Sequence, residues 1–250
     1  MTARPDHTNI DRVWPAPEAD LGDELLLAEL RGGAPLLRVN FVASVDGVAT
    51  REGLSGGLSN DADRRYFELL RRASDAVVVG AGTVRAEGYG SLRVSDESVR
   101  WRREQGLSDH PVFVIVSRSL DIDPAIVADA PVRPILVTTG RARVPEALAE
   151  ADIVRAGDSS ADESVDGTRM RAALHERGLM TLLCEGGPHL FASLLDADVV
   201  DELCLTTSPV LEGGDGIRIT AGLEKSRGLE LVSILRSKNT LFVRYRRARG

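Results

Sequence analysis

Cysteine is scarce in this chain of 250 residues: there are two, and they do not form a C-x-x-C pair. That spacing argues against a structural zinc framework. Cys184 and Cys204 sit inside apolar runs and read as small buried hydrophobes. No apolar run approaches the roughly 20 residues that cross a bilayer. The first residues lack a basic-then-apolar leader, so a cytoplasmic protein with no membrane partner is expected. Positive charge is also short, with 31 Lys and Arg against 38 Asp and Glu and a formal charge of −7. A nucleic-acid partner is therefore not expected, since no global basic field would hold a polyanion. There is no glycine-framed nucleophilic serine and no H-E-x-x-H helix, so covalent and metal-assisted hydrolysis have little to stand on.

What is present suits one packed domain. The apolar fraction of 43% supplies a core, and no repeat or low-complexity linker divides the chain. Residues 1–34, rich in proline and acidic side chains, read as a surface-laid arm with one helical patch at 24–30; residues 35–250 read as the domain. Short buried strands of the parallel type are expected at 36–43, 76–80, 112–116, 135–137, 152–154 and 181–184. A helix over 60–72 carries the apolar stripe Ala62, Tyr66, Leu69 and Leu70 behind a cap at Asn60 or Asp61. A second helix is expected over 162–177, ending at Gly178, and a third opens at Pro188 and runs to about residue 195. Strands at 202–207, 229–236 and 240–246 then follow one another without helices between them. The pattern predicts an α/β protein: a mixed, mainly parallel sheet flanked by helices, with an antiparallel C-terminal finish.

Three loops leave the C-terminal ends of these strands, where open α/β sheets bind ligands. One holds Ser44-Val45-Asp46-Gly47, in which Asp46 reads either as a turn former or as a site carboxylate. A second is Gly80-Ala81-Gly82-Thr83, running to Glu87 at a helix end. Strand, glycines and helix start read either as a plain tight turn or as a phosphate cradle. The full dinucleotide fingerprint is absent: Arg85 stands where its third glycine belongs, and no acidic residue ends a second strand about twenty residues on. The third loop is Glu185-Gly186-Gly187-Pro188-His189. Glu185 there is either a buried ion-pair partner or cap, or a ligand-binding carboxylate beside glycines that let a ligand approach. His189, as a lone histidine, reads as structural. Arg71, Arg72, Arg85, Arg93 and Arg118 all fall near loops or helix ends and suit a small anionic ligand.

Taken in order, these loops resemble the reductase domain of riboflavin biosynthesis, a family with a dihydrofolate-reductase-like fold. The resemblance rests on Asn40-x-x-Ala43-Ser44-Val45-Asp46-Gly47, Arg71, the Gly80–Glu87 loop, Tyr89-Gly90-Ser91-Leu92-Arg93, Glu185-Gly186-Gly187-Pro188, and Val200–Leu203 running on to Pro209. It spans roughly residues 36–245. It implies an NADPH-dependent reduction of the ribosyl group of 5-amino-6-(5-phosphoribosylamino)uracil to ribityl, in a homodimer. Another pterin or pyrimidine such as dihydrofolate, or a non-catalytic NADPH- or pyrimidine-binding paralogue, is the alternative. Carried over by position, Ser44, Gly80, Gly82, Thr83, Ser117, Arg118, Gly186 and Gly187 would hold the cofactor, Ser117 and Arg118 at its adenosine 2′-phosphate. Asn40, Asp46, Arg71, Arg93 and Glu185 would face a phosphorylated pyrimidine. The 250 residues include neither the H-x-E nor the P-C-x-x-C of the family's zinc deaminase domain, so the deamination step, if needed, is expected on another protein. Asn40 replaces a lysine of many bacterial members, as in stand-alone forms. The catalytic carboxylates are then Asp46, Glu185 and Glu87, with the proton donor open between Asp46, Glu87 and water.

Overall fold

Alternation inside the apolar runs decides the layers of the molecule. Neighbouring residues of a strand point to opposite faces. In the run 76–80, Val77 and Val79 enter one core with Leu69, Leu70 and Phe113. Ala76 and Val78 enter the other with Val39, Met170 and Phe191. Burial on both faces is why these strands are written almost wholly in Val, Ile and Leu.

The computed structural model describes residues 8–31, 33, 35–157 and 164–248. Its strands are β1 (Asp11–Trp14), β2 (Leu36–Ser44), β3 (Ala76–Gly80), β4 (Val112–Val116), β5 (Ile135–Thr138), β6 (Asp152–Arg155), β7 (Thr181–Cys184), β8 (Glu202–Ser208), β9 (Leu229–Ser237) and β10 (Thr240–Arg247). The helices are α1 (Asp23–Leu30), α2 (Asp61–Ala73), α3 (Ala81–Ala86), α4 (Asp96–Glu104), α5 (Pro124–Ala128), α6 (Gly167–Glu176) and α7 (Pro188–Asp196). One sheet runs β1-β9-β10-β8-β2-β7-β3-β4-β5-β6. From β8 to β6 every pairing is parallel, whereas β10, β9 and β1 join antiparallel. This is the mainly parallel sheet with an antiparallel finish expected from the sequence. Helices α1, α2 and α5 supply one core and α6 and α7 the other.

Three local outcomes differ from the sequence reading. The helix expected over 162–177 begins at Gly167, because Asp166 accepts hydrogen bonds from Thr168 N (2.8 Å) and Arg169 N (3.0 Å) and so fixes the N-terminus. Positions 162 and 163 of that expectation lie outside the described residues. Helix α4 was not expected, since its inward face is Ser98 and Arg102 rather than an apolar stripe. Arg102, 0% exposed, donates to the carbonyls of Arg72 (3.0 Å), Ser74 (2.6 Å) and Ser108 (2.7 Å), and thereby caps the end of α2 with a cation. Finally, β1 extends the sheet beside β9, and Leu26, Leu27 and Leu30 of α1 join the core against α2.

Candidate active site

Helix α2 delivers the first element of the site. Asn60 caps it by accepting from Asp63 N at 3.0 Å, and Asp61 and Asp63 start it while Arg71 and Arg72 finish it, each charge placed where the helix dipole favours it. The two arginines then part. Arg72 turns to α4, donating to Ser98 Oγ at 2.9 Å, and stays out of the site. Arg71 reaches across to the end of β7 and forms a fork with Glu185, Nε to Oε1 at 2.6 Å and Nη2 to Oε2 at 2.7 Å. Tyr89 donates its hydroxyl to the same Oε2 at 2.9 Å. The guanidinium lies 4.3 Å above the ring of Phe67 and 5.8 Å from that of Tyr89.

Glu185 is therefore a buried ion-pair partner, its side chain 2% exposed. A carboxylate offers about four acceptor directions. Three are filled, and the one left belongs to Oε1. Burial disfavours the Arg71 cation, yet the Glu185 charge and hydrogen bonds outweigh it and hold the guanidinium more firmly protonated than usual. Burial first, and the Glu185 charge second, push the Tyr89 phenol far above its ordinary range. Next door, burial pushes the Cys184 thiol up to about 12, which removes it as a nucleophile.

The glycines of the second and third loops differ in what each provides. Gly80 and Gly82 have no positive φ, so neither is needed for a turn. A β-carbon at Gly82 would meet nothing within 4 Å. What this glycine leaves is open space. Gly186 is the residue held left-handed, at φ +94°, and its α-carbon faces the ring of Phe41. The Gly186–Gly187 peptide is cis. A β-carbon on Gly187 would fall on Thr83 Oγ1. The two loops are tied by Gly80 N donating to Gly186 O at 2.8 Å, which continues the β3–β7 pairing beyond the strands.

Asp46 and Ser44 hold a strap. The Ser44 hydroxyl donates to Asp46 Oδ1 at 2.6 Å and accepts from Val48 N at 2.9 Å. Asp46 also accepts from Gly213 N (2.7 Å) and Glu212 N (3.2 Å), and Arg51 adds an ion pair to Glu212 at 2.5 Å. Segment 209–221 is thereby laid over the loop after β2, with Ala49 N donating to Ile217 O at 2.7 Å. The Ser44 hydroxyl first, then the N–H groups of Gly213 and Glu212, hold the Asp46 carboxyl down at about 2. A depressed carboxyl acts fully above its unfolded value and is lost only as pH falls toward the folded one. The strap is thus fully latched at every pH above about 4. Asp46→Asn is expected to lower kcat/KM by about 10- to 100-fold through misplacement of the strap. The parent should show no titration of Asp46 between pH 5 and 9. A pH–rate profile of the two proteins checks both, and an unaltered variant would refute the latch.

Cavities open around these loops. The cleft of about 400 Å³ is bounded by Asn40, Phe67, Thr83, Glu87, Tyr89 and Glu185, with Ile217 of the strap at its mouth. Glu87 accepts from Ser55 N at 2.9 Å, which ties the loop after β2 to the end of α3. An annex of about 380 Å³ holds Arg71, Ser91 and Arg93 and shares Phe67, Glu87 and Tyr89 with the cleft. A broad trough of about 1090 Å³ crosses the ends of β3, β4 and β5, lined by Gly80, Arg85, Ser117, Arg118 and Arg141. Ser117 is buried there and accepts from Leu120 N at 2.9 Å. Asp46 faces a fourth hollow of about 650 Å³ with Pro188, His189 and Arg218. Gly82 lines both cleft and trough, Pro188 both cleft and hollow, and His189 both trough and hollow. The three spaces converge on residues 187–189 at the start of α7. Tyr89, Phe67, Ser55 and Ile217 were not anticipated as site residues; only the motif around Tyr89 gave a signal.

Cavities at the carboxyl ends of a mainly parallel sheet with an antiparallel finish define an open α/β protein of the kind that binds ligands there. Residues 35–243 match the RibD C-terminal domain, and the chain belongs to that family. It is 30% identical over 182 residues to a 2,5-diamino-6-ribosylamino-4(3H)-pyrimidinone 5′-phosphate reductase of Archaeoglobus fulgidus, covering 72% of this chain and 83% of that one. A reductase of the same name from Methanothermobacter thermautotrophicus is 30% identical over 189 residues, covering 74% and 82%. Among solved structures, a pyrimidine reductase-like protein of Corynebacterium diphtheriae superposes with a TM-score of 0.73 at 25% identity, over 86% of this chain and 93% of that one.

Proposed function

We propose that this chain reduces the ribosyl group of a 6-ribosylaminopyrimidine 5′-phosphate to ribityl with NADPH, a step of riboflavin biosynthesis. The observation that carries this reading is the convergence of trough, hollow and cleft on residues 187–189, joined to relatives named as reductases of a ribosylaminopyrimidinone 5′-phosphate. A dinucleotide laid along the trough would place its adenosine phosphates among Arg85, Arg118 and Arg141. Planar guanidiniums suit a 2′-phosphate, which favours NADPH over NADH. Its nicotinamide end would lie beside Gly187 and Pro188, where the bound cofactor supplies the hydride. The pyrimidine would occupy the cleft and its phosphate the annex, facing Arg71 and Arg93.

The chain's own residues orient the substrate and exclude water. Glu185 offers its remaining Oε1 acceptor to a donor on the pyrimidine. Glu87, half-buried and holding one hydrogen bond from Ser55 N, is the carboxylate best placed to exchange a proton with the opening sugar. We place the protein in the cytoplasm as a homodimer. The sheet face bearing Leu231, Leu241, Val243 and Tyr245, with Leu231 and Leu241 each 38% exposed, supports that assembly.

The test is oxidation of NADPH and of NADH with the 2-amino and 2-oxo forms of the ribosylaminopyrimidine phosphate, with dihydrofolate as control. Turnover with at least one ribosylaminopyrimidine, faster with NADPH, is expected. Turnover of dihydrofolate alone, or of none, would overturn the reading.

A further inference from the structure

Tyr89 stands on the wall shared by the cleft and the annex. Its ring is fixed by stacking on Phe113, with centroids 6.1 Å apart and planes 19° from parallel, and by the Arg71 guanidinium above it. Its proton is committed, since the hydroxyl donates to Glu185 Oε2, where Arg71 already stands. A phenol has one proton, so what the oxygen has left for a ligand is acceptor capacity alone. Burial of the ring first, and the adjoining negative carboxylate second, oppose release of that proton, which argues against Tyr89 as a general acid.

Tyr89 lines both spaces together with Phe67 and Glu87, so a ligand spanning cleft and annex runs beside it. On the proposed function, the pyrimidine lies on one side and the phosphate on the other, and the segment between them is the sugar chain. We propose that Tyr89 is a specificity-determining residue whose phenolic oxygen accepts a hydrogen bond from a hydroxyl of that sugar chain. Glu185 acts through it as well as directly: by holding the proton, the carboxylate fixes the phenol as an acceptor. The same buried pair thus reads a ring donor at Oε1 and a sugar donor at Tyr89.

The experiment is Tyr89→Phe, which keeps the ring, its stacking and the cation contact. Calorimetric titration uses ribitol 5-phosphate and 5,6-diaminouracil as separate probes, with NADPH as a third. A lost hydrogen bond is expected to weaken ribitol 5-phosphate by about tenfold and leave diaminouracil and NADPH within about twofold. KM for the ribosylaminopyrimidine phosphate should rise by a similar factor. Equal weakening of both probes with a lower melting temperature would show a merely structural hydroxyl and overturn the proposal. So would weakening of diaminouracil alone, no change with either probe, or failure of the parent to bind ribitol 5-phosphate. Because these readouts are binding constants, they stand apart from the turnover assay. A parent that binds the sugar phosphate through Tyr89 but oxidises no NADPH would sink the proposed reaction and keep the contact.

Discussion

Glu185→Gln is expected to cut turnover by at least about 100-fold through misplacement of the substrate. Its melting temperature should fall by roughly 10 °C, equivalent to about 3 kcal/mol in a domain of this size. The reasoning is a matter of donors and acceptors. In the parent, three donors converge on one carboxylate: Arg71 Nε, Arg71 Nη2 and the Tyr89 hydroxyl. An amide replaces one acceptor oxygen with an NH₂ group, so at least one donor faces another donor. The Arg71 cation, with its side chain only 17% exposed, is then left without its counter-charge. Removing one partner of a buried pair is the costly case, whereas replacing both by apolar groups of similar volume is close to neutral. The double variant Arg71→Met with Glu185→Met should therefore recover most of the stability lost by Glu185→Gln and none of the activity. Thermal melts and steady-state kinetics on the parent, Glu185→Gln and the double variant check both expectations. A Glu185→Gln protein with parental melting and turnover would show that the pair has no part in the site.

The sequence made the centre of the sheet legible because strands such as β3 are buried on both faces, and a run such as 76–80 has few other uses. It showed the loops because glycines and carboxylates at strand ends are conspicuous. It did not show who meets whom. Glu185 and Arg71 were each assigned to the substrate, although 114 positions apart in the chain they are first of all each other's partners. Asp46 was read either as a turn former or as a site carboxylate, and nothing in its sequence context named its partners, Ser44 and two backbone N–H groups of the strap. Backbone donors carry no sequence signal, and segment 209–221 has no periodicity to betray its path. Helix α4 was missed for a related reason: Arg102 enters the interior as a cap for carbonyls, and no apolar pattern marks such a face. The arginine pair at 71 and 72 shows the limit sharply. Adjacent residues on one helix face different neighbours, and only packing decides which reaches the cleft.

Gly187 and Gly82 both line the cleft but are of opposite kinds, and alanine tells them apart. Gly187 has φ −81° and ψ −170°, an extended conformation that alanine adopts readily. The objection to a side chain there is contact, since the new methyl would fall on Thr83 Oγ1 at the start of α3. Overpacking of this kind costs about 1–3 kcal/mol. Gly187→Ala is expected to melt about 3–10 °C lower and to lose about 10- to 100-fold in kcat/KM, because Thr83 and Gly187 border the same cleft. Adding Thr83→Ala removes the hydroxyl that the methyl strikes, so the double variant should melt higher than Gly187→Ala alone. Gly82 is the opposite case. Alanine there meets nothing, and in a helix it should stabilise by about 0.5–1 kcal/mol. Yet its methyl would stand in the passage between trough and cleft, so Gly82→Ala should melt higher than the parent and bind NADPH more weakly. Differential scanning calorimetry with NADPH titration on the four proteins reads both quantities. If Gly82→Ala binds NADPH as the parent does, the passage carries no cofactor.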